Sequence, residues 1–577
     1  GGVGLYWPGT SVTGSGNTIP QTDSLAQAKR HYVKRLRGLA KRAVRSGLPL
    51  PLVSIEAGGI ARYLLEAGID RVDLEMTYHR QSEWLYAATK GAALAYGRPT
   101  FGVDLAMVWY GGNQHGPLWF QRWKTSLYHA FIRGAGPIYA EHGLMNYKAL
   151  GKDLPTSAPD VQHFRRTLAD FVTFTRRHAR PTGLPLARIA MLQGNLDSFS
   201  LGEKFVWGQR HAGAARAGTA EESWDLYRGL YQRSPWQFPY VDGCRDLSGN
   251  PPWGQADVIP VDSPLALLRR YDCLVFLGWN TITEDIHARL TRYVRAGGHL
   301  FATLAHLDTR DCRTAPMKLF RKGDLRELFG VQVGRLGTVD DGIKFLANPP
   351  GSAYRFPLWT AVCDPKYDDG GFPSATLRLG SATVVAGFSD RFADTAEAVA
   401  KRPALTVNRV GKGQAFLVNA AEYPGHRGLR RFSADLLTHV AAAHQQDPLV
   451  EAVEQIRFAI YRDGELFVIY LLNTDAGCEH GVRISMGRNR DLPLRIPAGT
   501  LAVAYATDRC FAWTLKPQIR VRQLDCQDDL LIICGERAWS RAPQLGCFVD
   551  GLRWRGKIRW SPSEACAESR AEGVACR

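Results

Sequence analysis

At 577 residues the chain is too long for one hydrophobic core and should divide into about three domains. Its composition, 45% hydrophobic and 22% charged, is that of a folded globular protein, and no apolar run approaches the roughly 20 residues of a membrane-spanning helix. The net charge of +17 is not gathered into a recognition motif: 16 Lys and 56 Arg are scattered along the length, without zinc-finger spacing or an RNA-binding signature, which argues against a nucleic-acid partner.

In chain order, residues Gly1 to Pro20 are rich in Gly, Thr and Ser and read as loop. Asp23 or Ser24 then caps a basic amphipathic helix ending near Gly47. Its Lys29, Arg30, Lys34, Arg35, Arg37, Lys41, Arg42 and Arg45 recur at helical spacing and read as one solvated face. Residues 49–55 read as a strand running into Glu56 and a turn over 57–59, followed by a short helix over 60–67.

The stretch from Asp70 to Tyr147 carries the chemistry. Three short apolar runs, 72–74, 101–108 and 137–140, are separated by two amphipathic segments of helical length, the β-α-β-α-β rhythm of a parallel sheet. The first run leads into Glu75, the last into Glu141, and the middle one contains Asp104, so carboxylates sit where parallel strands end. A parallel barrel collects its reacting groups at those ends. Aromatics crowd the same segments: Tyr78, His79, Trp84, Trp109, Tyr110, Trp119 and Trp123. Paired carboxylates ringed by flat apolar faces are what glycosidic bond cleavage needs. Trp84 and Trp123 lie inside helical segments and fit a core position equally well. The four strands ending at Glu56, Glu75, Asp104 and Glu141 are half of an eight-stranded barrel, and residues 1–48 hold no further strand, so a partial or N-terminally truncated barrel is expected.

A Pro-bearing linker runs to Pro159, an amphipathic helix spans 160–179, and a second α/β pattern begins. Its strands are expected at 187–193, 256–261, 272–277 and 299–304, with a helix at 283–295 closed by Gly297–Gly298. From Val450 the period switches to two around Asp-Gly and Asn turns, as in an antiparallel sandwich, and the last residues, from Arg537, show no clear period. All eleven cysteines lie at or after Cys244 without a C-x-x-C pair, which supports neither a disulfide framework nor a zinc site. The sequence begins at Gly1 and leaves the compartment open.

The segment YDCLVFLGWNTITEDIHARLTRYVRAGGHLFATLAHLD resembles the trimerisation domain of bacterial β-galactosidases, and NRVGKGQAFLVNAAEYPGH is similar to the closing strand pair of that domain. The resemblance covers about residues 50–530. It implies an α/β chain of four parts: a partial (β/α)8 TIM barrel carrying catalysis at 1–182, a flavodoxin-type, class I glutamine-amidotransferase-like domain at 183–447, a small antiparallel β-sandwich at 448–536 and an irregular tail at 537–577. In the related barrels the acid/base Glu ends strand four, usually after Asn, and the nucleophile Glu ends strand seven. Glu141, in PIYAEHG, matches the nucleophile; Glu56 matches the acid/base by strand count although it follows Ile55, and Glu75 competes for that role. Substrate contacts are expected from Tyr78, His79, Asp104, Trp109, Tyr110, His115, Tyr139 and His142. The second domain lacks a nucleophile elbow, since Cys273 lies within a strand and Gly278-Trp279-Asn280 stands where a nucleophile would emerge. Its expected role is self-association into a homo-oligomer.

The expected activity is therefore O-glycosyl hydrolysis by two carboxylates, of the retaining β-galactosidase type, on an oligo- or polysaccharide, with no cofactor, metal, nucleic acid or membrane involved. Two other classes stand beside it. One is a non-catalytic carbohydrate-binding or oligomeric scaffold with a degenerate barrel. The other is a lyase or metal-dependent hydrolase using Asp104, His115 and His142, for which no HxH or HExxH spacing is present.

Overall fold

The computed structural model describes residues 20–562 except 46, 48–50, 52, 55–57, 77–81, 99, 107–116, 141–156, 199–205, 209–217, 233–249, 340–341, 347, 349–352, 357–370, 390–393, 446, 488–490, 516–519, 528–529, 536–545, 550–551 and 554–556. Four parallel strands, β1 (Val53–Ser54), β2 (Arg71–Glu75), β3 (Gly102–Leu105) and β4 (Ile138–Ala140), pair in that order. Helix α1 (Leu25–Arg45) precedes them; α2 (Ala61–Glu66), α3 (Ser82–Ala95) and α4 (Pro117–Ile132) connect them; α5 (Pro159–Arg177) follows. After α3 and α4 the chain turns through Gly97 and Gly134, at φ +64° and +99°, a left-handed backbone that a Cβ disfavours.

The second sheet has eight strands. β5 (Ile189–Gln193), β6 (Ala256–Pro260), β7 (Cys273–Phe276), β8 (His299–Thr303) and the strand Gly413–Val418 are parallel, in the spatial order β6-β5-β7-β8-Gly413–Val418. Numbered along the chain, this is the 2-1-3-4-5 order of a doubly wound sheet. Three antiparallel strands extend its far edge. Helix α6 (Glu284–Arg295) starts where the Thr283 hydroxyl accepts from the Ile286 amide, with Glu284 and Asp285 in its first turn. Helix α7 (Arg427–Ala443) buries Leu429, Phe432, Leu436 and Val440.

The third part is antiparallel. In the strand Ile456–Asp463 alternate residues enter different cores: Phe458 and Ile460 pack with Ile484, Leu492 and Leu494 of the small facing sheet, while Ala459 and Tyr461 pack toward Leu127 and Phe131 of α4. Both faces are covered, which is why this strand reads as a nearly continuous apolar run. The stretch from 537, expected to be irregular, carries strands: Gly546–Val549 pairs with Cys510–Thr514, and Lys557–Pro562 runs parallel to Leu530–Gly535. Short strands rich in Arg, Cys and Trp lack the alternation that would have announced them.

The parts are locked together through α3. An added Cβ at Gly91 would fall 1.8 Å from the Val258 carbonyl oxygen, so glycine lets α3 lie directly on β6. Beside it, Lys90 pairs with Asp257 at 2.9 Å and donates to the Pro185 carbonyl at 2.7 Å, all within the buried interface.

Candidate functional site

Register decides which side chains meet on the first sheet. Glu75 of β2 pairs with Asp104 of β3, which pairs with Tyr139 of β4. Partners on adjacent strands share a face, and faces alternate with a period of two. Glu75, Asp104 and Tyr139 therefore form one row across the C-terminal end of the sheet, and Asp73 lies on the same face two residues before Glu75. The intervening Leu74, Val103 and Leu105 point the other way, into the core shared with α4.

Asp73 is the best-fixed group on that face. Arg71 grips its two carboxylate oxygens at 2.7 and 2.8 Å, and the Tyr139 hydroxyl donates to it at 2.9 Å. Tyr139 has to reach across β3 to do so, and Gly102 opens the way: a Cβ there would sit 2.3 Å from an Asp73 oxygen. Burial and the neighbouring Asp73 and Asp104 carboxylates push the Tyr139 phenol well above its ordinary value, so it stays protonated and donates. The Asp73 hydrogen bond raises Arg71 in turn. Asp104 is buried and Glu75 half-buried.

Of the residues singled out from sequence, Glu75, Asp104 and Tyr139 are thus brought into one row. Glu56, Glu141, Tyr78, His79, Trp109, Tyr110, His115 and His142 lie outside the described residues. Trp84 and Trp123 are core: each is 1% exposed, Trp84 edge-on to Trp224 and Trp123 stacked on Phe164 at 4.5 Å. Asp73 was missed, although the D-x-E spacing of RVDLE, read as a strand, already puts both carboxylates on one face.

A second acidic centre lies deeper. The Glu83 carboxylate of α3 meets His129 Nε2 of α4 at 2.8 Å and Arg133, just after that helix, at 3.2 Å, and Arg457 Nη1 of the sandwich reaches His129 Nδ1 at 3.4 Å. A guanidinium only donates, so Nδ1 accepts and the ring proton sits on Nε2, directed at Glu83. Burial, with repulsion from Arg457, pushes His129 down to about 4. Burial would raise Glu83, but Arg133 and His129 outweigh it and bring its carboxyl to about 2. All four are buried. The centre is a strut joining two helices of the first unit to the sandwich.

Doubly wound folds bind ligands at the switch point beside the C-terminal end of the first strand, here β5 of the second sheet, and among the described residues that end is occupied. Its β5 end is plugged from the first unit: buried Arg62 donates to the Gln193 and Gly194 carbonyls at 3.2 Å and pairs with Asp262 at 2.6 Å, while the Tyr63 hydroxyl donates to the Asp197 carbonyl at 2.6 Å. An added Cβ at Gly194 would meet the Trp279 carbonyl oxygen at 1.8 Å. Cys273 is buried in β7 with its thiol pushed up to about 12 by burial, which is the reverse of an activated nucleophile.

Among the described residues no group of three or more His, Cys, Asp or Glu is placed to hold a metal ion, and no helix is long and apolar enough to cross a membrane. A groove of about 750 Å³ runs between α4 and α5, lined by Phe120, Lys124, Tyr128, His163 and Arg166; none of the carboxylate row lines it.

Residues 255–445 match the family described as the β-galactosidase trimerisation domain. Over 188 residues the chain is 27% identical to the β-galactosidase BgaH of Haloferax lucentense, covering 33% of this chain and 26% of that protein. The chain thus spans about a quarter of the curated relative it matches. In fold it is similar to the β-galactosidase of Bacillus circulans sp. alkalophilus, with a TM-score of 0.54 and 13% identity, covering 84% of this chain and 67% of that one. The cold-adapted β-galactosidase of Rahnella sp. R3 aligns with a TM-score of 0.50 and 17% identity over the same shares, 84% and 67%.

Proposed function

We propose that the protein is a β-galactosidase-type glycoside hydrolase that cleaves O-glycosidic bonds by a retaining, two-carboxylate mechanism. In this reading β1–β4 are half of a (β/α)8 barrel sheet within residues 1–182, the unit at 183–447 is an amidotransferase-like oligomerisation domain, and a sandwich follows. One observation carries the proposal. The register places Glu75, Asp104 and Tyr139 in a row at the C-terminal ends of parallel strands, in a chain whose next unit matches the trimerisation domain of β-galactosidases.

Glu141, which follows β4 directly in the sequence, is assigned the nucleophile, and Glu75 or Glu56 the acid/base. The nucleophile attacks the anomeric carbon while the acid protonates the departing oxygen; the same residue then deprotonates the water that releases the glycosyl-enzyme. Tyr139, held by Asp73, orients the carboxylates from below, and Trp109 and Tyr110 supply the sugar platform. The second domain carries the contacts of a homo-oligomer.

The test is kinetic. Glu141→Gln should lose at least a thousandfold in kcat on every aryl β-galactoside. An acid/base variant, Glu75→Gln or Glu56→Gln, should lose most on poor leaving groups and little on dinitrophenolate, whose departure needs no proton. Unchanged turnover in all three variants would end the proposal.

A further inference from the structure

The outward face of α1 is the most strongly charged surface among the described elements. The helix contains eight Lys and Arg and no acidic residue in 21 positions. Its apolar stripe, Leu25, Ala28, Tyr32, Val33, Leu36 and Ala40, is buried against Ile60, Tyr63, Leu64 and Trp207. The opposite stripe, Arg30, Lys34, Arg37, Lys41 and Arg45, is exposed and places about one cation on each helical turn over roughly 22 Å. Local structure absorbs little of this charge. Lys29 pairs with Glu66 and Arg37 donates to the Glu66 carbonyl, while among the described residues no carboxylate lies against Arg30, Lys34, Lys41 or Arg45. Like charges three and four residues apart repel, so the column is under a standing electrostatic cost that an anionic partner would remove.

We propose that this face docks a polyanionic polysaccharide, a chain bearing uronate or sulfate groups, and so holds the protein on an acidic glycan. The regular spacing of the cations suits a polymer with regularly repeating anions. A lipid surface is a poor fit, because the apolar side of an amphipathic helix must enter the bilayer and here that side is buried in the protein. Single-stranded nucleic acid is also a poor fit: such binders interleave cations with stacking aromatics, and the one aromatic ring of α1 besides His31, Tyr32, is buried. The choice of a glycan over duplex DNA rests on the hydrolase reading; the docking face itself does not.

The experiment compares the chain with an Arg30→Gln/Lys34→Gln/Lys41→Gln/Arg45→Gln variant, glutamine keeping helix propensity on exposed positions. Fluorescein-labelled polyguluronate, neutral dextran of equal length and a 20-base-pair DNA duplex are titrated by anisotropy between 25 and 200 mM NaCl. The expected result is binding of polyguluronate but not dextran. The variant should lose at least tenfold in affinity at low salt, and its plot of log K against log salt should be shallower by about three to four. Circular dichroism and turnover of a neutral aryl galactoside should not change. Equal binding by variant and parent, or binding of dextran as tight as of polyguluronate, would overturn the proposal, and tighter binding of the duplex would reassign the face to nucleic acid. A chain that binds polyguluronate yet hydrolyses nothing would sink the hydrolase reading and leave the docking face standing.

Discussion

Gly102→Ala tests the geometry of the candidate site in the smallest possible step. The added methyl would sit 2.3 Å from Asp73 Oδ1, 2.4 Å from Cγ and 2.6 Å from Oδ2, so the carboxylate must retreat by about an ångström to reach ordinary contact. It has little freedom to do so, since Arg71 holds it at 2.7 and 2.8 Å and Tyr139 at 2.9 Å. Losing the Tyr139 bond to a charged acceptor costs about 1.5–3 kcal/mol, and crowding a packed site adds roughly 1–3 kcal/mol. A loss of about 3 kcal/mol is expected, or some 6–12 °C in Tm for a cooperative unit of this size. Differential scanning fluorimetry on the single variants and the Asp73→Ala/Gly102→Ala pair isolates the cause. Once the carboxylate is gone the methyl has room, so the double variant should be no less stable than Asp73→Ala alone, within about 0.5 kcal/mol. Strictly additive losses would refute the idea that Gly102 exists to let Tyr139 reach Asp73.

The remaining expectations concern the interfaces. Stability should fall with acidification from about pH 6.5. His129, held near 4, must stay neutral in the fold while the unfolded chain takes up a proton between those values, and Glu83, held near 2, extends the loss below pH 4.5. His129→Gln should flatten the upper part of that profile, on the order of 3 kcal/mol, in urea melts from pH 4 to 7; an unaltered slope would remove His129 as its source. Gly91→Ala drives a methyl into the Val258 backbone at 1.8 Å, where nothing flexible can yield, and should give insoluble or readily proteolysed protein. Lys90→Met leaves Asp257 buried without its cation and should cost about 3–5 kcal/mol by urea denaturation, most of it regained in Lys90→Met/Asp257→Asn.

Local signals marked out the elements well. The helix over 160–179 is found at Pro159–Arg177, and that over 283–295 at Glu284–Arg295 with its Thr283 cap and the Gly297 turn at φ +124°. Strands expected at 72–74 and 137–140 are found at Arg71–Glu75 and Ile138–Ala140. These follow from periodicity and capping, which act over a few residues. The candidate site was legible only in part. Glu75, Asp104 and Tyr139 could each be placed at a strand end, but their alignment in one row needs the inter-strand register, and Asp73 gains its meaning from Tyr139, 66 residues away. The tail from 537 was misread because two short strands, Gly546–Val549 and Lys557–Pro562, bind partners further back in the chain, and only those partners make them strands.

What the sequence by itself determined is the succession of helices and strands and the types of residue at the strand ends, because backbone preference and amphipathic period are properties of neighbours. Tertiary structure alone decided that Trp84 and Trp123 are core and that Arg62 and Tyr63 fill the β5 end of the second sheet. It also decided that Glu83 meets buried His129 and Arg133, with Arg457 of the sandwich on the far side of that imidazole, and that Lys90 faces buried Asp257 of the second unit. A side chain's surroundings depend on surfaces contributed by segments up to hundreds of residues away, and no local pattern encodes which of those surfaces will close over it.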